Sequence, residues 1–156
     1  PRTPSYAGAY LESLAHASPI RRQWSGPAYR FPHTLPEVPG AVRVTGENAG
    51  ILAEDFADWL EDPAVSQPFV ALVVKGRVVS VCYSVRIAPE VHEAGVETLP
   101  DLRGRGYASR GVAAWASAVR SHGACPVYST SWDNTSSQAV ARRLHLTRFA
   151  VDFHLT

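Results

Sequence analysis

A turn that carries two closely spaced glycines constrains this chain more than any other feature. Residues 98–109 read Thr-Leu-Pro-Asp-Leu-Arg-Gly-Arg-Gly-Tyr-Ala-Ser, between a β-prone run and an amphipathic run. Gly104 and Gly106 allow the backbone to turn sharply from a strand into a helix. The first amide N–H groups of that helix have no partner within it and lie at the positive end of its dipole. With the charges of Arg103 and Arg105 beside them, these amides predict a site for a phosphate or pyrophosphate.

The spacing of the glycines excludes the two best-known nucleotide signatures. Neither G-x-x-x-x-G-K-[ST] nor G-x-G-x-x-G is present, so nucleotide hydrolysis loses its main support. From the residues alone, two plainer interpretations stay open, namely a solvated turn and an RNA-binding arginine-glycine patch. The net charge of +1 argues against the RNA-binding patch, because a phosphate backbone is held mainly by an excess of basic residues.

Charge is distributed unevenly along the chain. The 156 residues fit one compact domain with a core, since 46% of them are apolar and 19% are charged. Residues 1–100 contain 8 basic and 11 acidic residues, whereas residues 101–156 contain 7 basic and 3 acidic residues. The C-terminal part therefore favours an anionic ligand.

No apolar run approaches a membrane span and no signal peptide is apparent, so we expect a cytoplasmic protein with no membrane partner and no nucleic-acid partner.

The two cysteines, Cys82 and Cys125, predict two buried thiols, because so sparse a pair in a chain able to build its own core is seldom a disulfide framework. A disulfide between them is the less favoured alternative. Neither cysteine has an evident base partner in the sequence, so a cysteine acyl-enzyme is not expected. We predict no metal site.

Hydrophobic periodicity predicts an α/β fold of the α+β type around one sheet. Seven of the twelve prolines fall within the first 39 residues, which predicts no regular structure over residues 26–46 and an N-terminal segment, 1–47, packed on a domain of residues 48–156. The predicted elements, in chain order, are a helix at 6–16, a helix at 48–61, strands at 69–75, 77–87 and 92–99, a helix at 107–121, a strand at 127–132, a helix from 134 or 135 to 144, and a strand at 149–155. The first two strands are predicted to form a hairpin at Lys75-Gly76.

Two motifs resemble those of the GCN5-related N-acetyltransferase (GNAT) superfamily. Residues 103–108, Arg-Gly-Arg-Gly-Tyr-Ala, are similar to the acyl-CoA-binding motif Q/R-x-x-G-x-G/A, whose glycine turn holds the CoA pyrophosphate. Residues 132–146 are similar to the second signature, an asparagine (here Asn134) followed by a small residue and an amphipathic helix. The resemblance covers roughly residues 48–156. It implies a mixed, mostly antiparallel sheet flanked by helices, with acyl-CoA held at a splayed central strand and the N-terminus of the following helix.

The same resemblance implies an acetyl-CoA-dependent N-acetyltransferase that transfers an acetyl group directly to a primary amine of a small molecule or peptide. A noncatalytic acyl-CoA-binding or sensing domain is the alternative. A homodimer stays open, and the sequence does not identify the acceptor. The residues that the resemblance assigns to the acyl donor are Val96, Thr98, Arg103, Gly104, Arg105, Gly106, Tyr107, Ala108, Ser109, Asn134 and Ser137.

Two carboxylates are the predicted catalytic residues. The acceptor amine must lose a proton before it can attack, and carboxylates are the expected bases. Glu93 and Glu97 lie four residues apart on one predicted strand and so share a side of it, with Gly95 predicted to leave open space between them. We expect Glu97 to accept the proton and Glu93 to position the amine. The alternative is that both are solvated edge charges.

Three positions depart from the family pattern. Ala141 stands where many members carry a tyrosine, so the usual proton donor for the leaving thiolate is missing. The candidates to replace it are Tyr107, Tyr128, Ser129 and Ser131, although a structural role suits each of them better. His145 stands where the second signature ends in glycine, which predicts a differently closed helix because histidine suits a left-handed cap less well. The residues before 48 match no family pattern and leave the acceptor side uninterpreted.

Overall fold

The computed structural model describes residues 5–16 and 19–155. Within these residues the chain forms three α-helices and seven strands, joined by short 3₁₀ turns. No helix among them is long and apolar enough to cross a bilayer. In chain order the elements are α1 (Ala7–Ala15), β1 (Gln23–Arg30), β2 (Ala41–Val44), β3 (Phe69–Val74), β4 (Arg77–Ile87), β5 (Val91–Thr98), α2 (Tyr107–Ser121), β6 (Cys125–Ser129), α3 (Thr135–Arg143) and β7 (Thr147–Leu155).

The strands form one sheet in the order β2-β3-β4-β5-β6-β1-β7. All neighbours are antiparallel except β5 and β6, which pair in parallel from Val91 with Cys125 to Glu93 with Val127. Beyond Glu93, β5 continues to Thr98 with no partner on β6. The two strands therefore separate and leave a gap in the sheet, which confirms the predicted mostly antiparallel sheet with a splayed central strand.

The core lies on both faces of the sheet. The helix α2 covers one face, because its apolar residues recur every three or four positions and form a single buried stripe. The indole N–H of Trp115 donates to the hydroxyl of Ser84 at 3.2 Å, so the largest buried side chain is also hydrogen-bonded to β4. The opposite face is covered by a second cluster that includes Leu52, Phe56 and Phe69. The predicted helix at 107–121 and the predicted hairpin at Lys75-Gly76 are confirmed.

The predicted helix at 48–61 is wrong. This stretch forms 3₁₀ turns at Ala49–Leu52 and Ala57–Trp59, followed by a third turn at Asp62–Ala64. Leu52 and Phe56 are nevertheless buried, as the spacing indicated. The reason is that apolar residues three or four apart fit a chain of 3₁₀ turns almost as well as an α-helix.

The absence of regular structure predicted for residues 26–46 is also wrong, because β1 and β2 lie largely within it. The strand β1 lies inside the sheet, between β6 and β7. Gly26 permits this close packing, since a Cβ there would come within 1.7 Å of the carbonyl oxygen of Thr130. The prolines at 32, 36 and 39 fall between the two strands. The division of the chain at residue 47 stays a prediction.

Three smaller predictions differ from the structure. The strand placed at 127–132 lies at Cys125–Ser129. Cys82 is buried as predicted, but Cys125 is exposed, and both thiols are free. The helix α3 closes as a glycine-terminated helix does: His145 adopts φ +52° and the amide of Leu146 donates to the carbonyl of Ala141 at 2.9 Å. The histidine therefore takes the left-handed conformation itself.

Candidate functional site

A cavity of about 550 Å³ lies where the end of β5 meets the N-termini of α2 and α3. It brings together every residue that the sequence analysis assigned to the acyl donor except Arg105, which is exposed and lies outside the lining. Glu97 also lines it. The full lining is Val96, Glu97, Thr98, Leu102, Arg103, Gly104, Gly106, Tyr107, Ala108, Ser109, Tyr128, Asn134, Ser136, Ser137, Ala139, Val140 and Arg143.

The glycine turn forms one wall of the cavity. Gly104 has φ +77° and Gly106 has φ +82°, so both hold the left-handed conformation that the turn requires. Gly106 is the N-cap of α2 and provides no side-chain cap, so no cap side chain pairs with the first-turn amides. Two arginines line the same cavity, Arg103 from the turn and Arg143 from α3. The amides and the two guanidinium groups together suit an anion such as a pyrophosphate.

The end of β5 is held from the β4 side. The hydroxyl of Ser80 donates to the carbonyl of Glu97 at 2.7 Å and lies 2.9 Å from the hydroxyl of Thr98. Nε of Arg103 donates to the carbonyl of Thr98 at 3.3 Å, which ties the turn to the strand. Because β6 does not pair with β5 beyond Glu93, the backbone groups of β5 that face the gap can form hydrogen bonds with an extended ligand, which would take the place of a neighbouring strand.

The N-terminus of α3 forms the opposite wall. Oδ1 of Asn134 accepts from the amide of Ser137 at 2.9 Å, so Asn134 caps the helix and lines the cavity at the same time. Ser136, Val140 and Arg143 also line the cavity and were not predicted. Their spacing of four and three residues places them on one face of α3, and this spacing was the signal that could have found them.

A buried tyrosine lies between this wall and the sheet. The hydroxyl of Tyr128, on β6, lies 2.5 Å from the hydroxyl of Ser137. Burial raises the pKa of Tyr128, and although the hydrogen bond with Ser137 opposes this, the pKa reaches about 12. Ala141 is buried in the core cluster that contains Tyr128 and does not line the cavity. The small side chain of Ala141 and the ring of Tyr128, from β6, thus belong to the same buried cluster.

Glu97 is held by an aromatic group. Nε1 of Trp59 donates to Oε2 of Glu97 at 3.0 Å. The ring of Tyr83 packs against Trp59, with 4.4 Å between ring centroids, and burial together with the charge of Glu97 raises the pKa of Tyr83 to about 12. The open space predicted at Gly95 is absent, because a Cβ there would lie 2.4 Å from Val85 and 2.9 Å from the Tyr83 ring. The space is filled by side chains from β4.

Glu93 lines a different cavity, of about 510 Å³. Oε2 of Glu93 lies 2.5 Å from Nε of Arg86, and Glu93 also accepts from the hydroxyl of Ser129. Arg86 contacts Asp152 as well, so one guanidinium joins two carboxylates. Glu93 and Ser129 alternate along their strands with the residues that face α2, so this cavity opens on the other side of the gap. The two predicted catalytic carboxylates therefore lie at different cavities. The lining is Trp24, Val85, Arg86, Glu93, Ala94, Ser129 and His154.

Solved structures share this fold. A protein from the GNAT family of Novosphingobium aromaticivorans matches with a TM-score of 0.68 at 21% identity, over 87% of this chain and 65% of that chain. A GCN5-related N-acetyltransferase from Kribbella flavida matches with a TM-score of 0.61 at 21% identity, over 93% and 63%. A GNAT-family acetyltransferase from Colwellia psychrerythraea matches with a TM-score of 0.61 at 15% identity, over 94% and 62%. The chain thus spans less than two thirds of the length of each.

The sequence itself carries the family pattern. None of the curated proteins compared with the chain matches it. The model of the GNAT acetyltransferase family matches residues 69–148, which run from β3 through the glycine turn and α3 into β7. This match covers just over half of the 156 residues and contains the splayed strand and every residue that lines the 550 Å³ cavity. The chain therefore belongs to the GNAT acetyltransferase family.

Proposed function

We propose that this chain is an acetyl-CoA-dependent N-acetyltransferase that acts on a primary amine of a small molecule or peptide. The observation that carries the proposal is that one continuous cavity, of about 550 Å³, joins the glycine turn to the gap between β5 and β6. It offers an anion site at one end and an unpaired strand edge at the other. A CoA thioester has this distribution of chemistry, with a pyrophosphate at one end of an extended amide-containing arm and the reactive carbonyl at the far end.

Each part of the cavity has a role in this proposal. The amides of the Gly104–Ser109 turn, with Arg103 and Arg143, hold the pyrophosphate. The free edge of β5 at Val96 and Thr98 pairs with the amide-containing arm, and Asn134 lies opposite. Acetyl-CoA supplies an activated acetyl group, and a backbone N–H of β5 that faces the gap polarises its carbonyl.

The acceptor approaches from the other face of the sheet. The second cavity lies on that face and contains Glu93, while Glu97 stands farther along the same strand. Four residues of strand span about 13 Å, so only one of these carboxylates can contact the reacting amine directly. We assign proton acceptance to Glu97, which lines the acyl-donor cavity, and acceptor positioning to Glu93.

A noncatalytic acyl-CoA-binding domain is the second candidate. It is favoured by the fact that both carboxylates already have partners, Trp59 for Glu97 and Arg86 for Glu93. A carboxylate that accepts one hydrogen bond still has free lone pairs, so Glu97 can act as a base despite its contact with Trp59.

Two measurements test the proposal. Acetyl-CoA at a concentration 100 times its dissociation constant should raise the free energy of unfolding by about 2.7 kcal/mol. Release of free CoA thiol should then be followed across a panel of primary amines. An unfolding midpoint that does not respond to acetyl-CoA would overturn the proposal as a whole. Stabilisation without thiol release from any amine, including amino acids, polyamines and peptides, would favour the noncatalytic candidate.

A further inference from the structure

We propose that the hydroxyl of Tyr128 donates a hydrogen bond to the sulfur of the departing CoA and stabilises it as a thiolate, with Ser137 as the residue that orients Tyr128. This inference rests on the proposed function, because it concerns the leaving group of that reaction. It differs from proton donation: the sulfur leaves as an anion and takes its proton from solvent after release.

The position of Tyr128 along β6 carries the first step. The last paired residues of β5 and β6 are Glu93 and Val127, so Tyr128 is the first residue of β6 beyond the pairing. Tyr128 and Val96 both line the acyl-donor cavity, one from each strand. The Tyr128 side chain is thus attached to the strand at the point where the sheet opens, where the proposed function places the thioester.

The hydrogen bond with Ser137 decides which way the Tyr128 proton can point. Their hydroxyl oxygens are 2.5 Å apart, and either one can be the donor. When Ser137 donates, the oxygen of Tyr128 is the acceptor and its own proton is free to point into the cavity. The backbone of Ser137 is fixed in turn by Oδ1 of Asn134, at 2.9 Å. Ser137 is therefore a positioning residue.

Relative acidity decides between a hydrogen bond and full proton transfer. Burial raises the pKa of Tyr128 to about 12, whereas an ordinary thiol has a pKa of about 8.5. The thiolate is the weaker base by more than three pKa units, so it would not remove the proton from Tyr128. The groups that surround Tyr128 contribute to this pKa and do not reverse the order: Cys82 on β4 and Tyr29 on β1 raise it, and the hydrogen bond with Ser137 lowers it. The remaining ionisable groups of the cavity lining are Glu97 on β5, Arg103 in the turn, Tyr107 on α2 and Arg143 on α3.

The acetyl transfer requires no proton from Tyr128. The amine nitrogen forms a bond to the acetyl carbon, the carbon–sulfur bond breaks, and its electron pair stays on sulfur. The proton of the amine goes to Glu97 or to water. Tyr128 keeps its proton throughout and contributes a charge-assisted hydrogen bond, which is about twice as strong as a neutral one.

Binding of free CoA provides a test that needs no acceptor. Acetyl-CoA has no ionisable thiol but otherwise matches CoA. The dissociation constant of acetyl-CoA divided by that of CoA therefore changes with pH only through the thiol, because the other ionisable groups affect both ligands alike. If the site stabilises the thiolate, calorimetry on the wild type should show this ratio rising at least about 10-fold between pH 7 and pH 9.5. Tyr128→Phe should abolish most of the rise and leave the acetyl-CoA affinity at pH 7 near the wild-type value. Tyr29→Phe is the matched control, because it removes a neighbouring tyrosine hydroxyl that does not line the cavity, and it should keep the rise.

The outcomes separate this inference from the proposed function. If neither CoA nor acetyl-CoA binds the wild type, the proposed function fails and this inference fails with it. If both ligands bind and the ratio does not change with pH, or rises equally in Tyr128→Phe, the inference alone is overturned. Should Tyr128→Phe fail to fold, Ser137→Ala takes its place: it should reduce the rise, and an unreduced rise overturns the inference.

Discussion

The guanidinium of Arg143 lies directly over Gly106, so that a methyl group on Gly106 would come within 2.1 Å of Nη1. Gly106 also has φ +82°, a conformation that costs a residue with a side chain about 1–2 kcal/mol. We therefore expect Gly106→Val to weaken acetyl-CoA binding by at least about 10-fold, through strain and through displacement of Arg143. Arg105→Ala should have a much smaller effect, since Arg105 is an exposed charge outside the cavity lining. Titration calorimetry measures both.

Gly104→Val is the matched control for this comparison. Gly104 has nearly the same φ, +77°, but a Cβ there would meet nothing within 4 Å. The two glycine variants should lose similar stability, while Gly106→Val should lose more affinity. A larger loss of affinity from Arg105→Ala than from Gly106→Val would mean that charge, and not backbone geometry, holds the phosphates.

Glu97→Gln should lower turnover about 100-fold once an acceptor is found, because an amide keeps the shape of the side chain but cannot accept the proton. Its remaining activity should rise with pH as the acceptor amine loses its proton to water. Acetyl-CoA affinity should change little. Steady-state kinetics across pH is the measurement, and Trp59→Phe, which keeps the carboxylate, should lose less turnover than Glu97→Gln. Wild-type turnover in Glu97→Gln over the whole pH range would place the base elsewhere.

His145→Gly should stabilise the fold by about 0.5–1 kcal/mol. His145 holds φ +52°, where a glycine has no steric cost, and part of that gain is offset by the greater freedom of glycine in the unfolded chain. The measurement is urea denaturation at neutral pH. His145→Ala serves as the comparison, because it removes the imidazole but keeps the Cβ. If both variants change stability equally, the imidazole and not the backbone accounts for the effect.

Stability should fall as pH rises above 10, in part through Tyr128. Its pKa is about 12 in the folded protein and 10.0 ordinarily, so between these values the unfolded chain has lost a proton that the folded chain keeps. Stability is then fully present below pH 10 and decreases by about 1.4 kcal/mol per pH unit above it. In Tyr128→Phe the free energy of unfolding, measured by urea denaturation, should decrease less steeply from pH 9.5 to pH 11 than in the wild type. Each protein is compared with its own value at pH 7. Parallel slopes for the two proteins would contradict this.

The parts of the structure that the sequence predicted are those with local causes. The hairpin at Lys75-Gly76 and the helix α2 depend on residues near each other in the chain, namely turn-forming glycines and an apolar stripe. The phosphate end of the acyl-donor site could be predicted for the same reason, because it is one continuous segment, residues 103–109. The α3 residues of the wall that were not predicted, such as Arg143, reach this segment only because α3 packs beside it.

The parts that the sequence did not predict depend on contacts between distant segments. Alternation along β5 correctly placed Glu93 and Glu97 on one side of the strand, but nothing local indicates that β6 stops pairing with β5 after Glu93 while it stays paired with β1. Nor could the sequence show that Tyr83 and Val85 fill the space above Gly95. The strand β1 was missed because it contains Pro27 and is followed by a proline-rich segment, and because its partners lie about a hundred residues away.

The strand β1 lies between β6 and β7 and so pairs with the last strand that the structure describes. Gln23 pairs with Leu155, and antiparallel partners have Cα atoms about 5 Å apart. A short linker from Leu155 to Gln23, with new termini in the turn between Lys75 and Gly76, would therefore give a circular permutant of residues 23–155. In such a molecule β7 and β1 would be consecutive, so the pairing that now closes the largest loop of the chain would become a local one and should form early in folding.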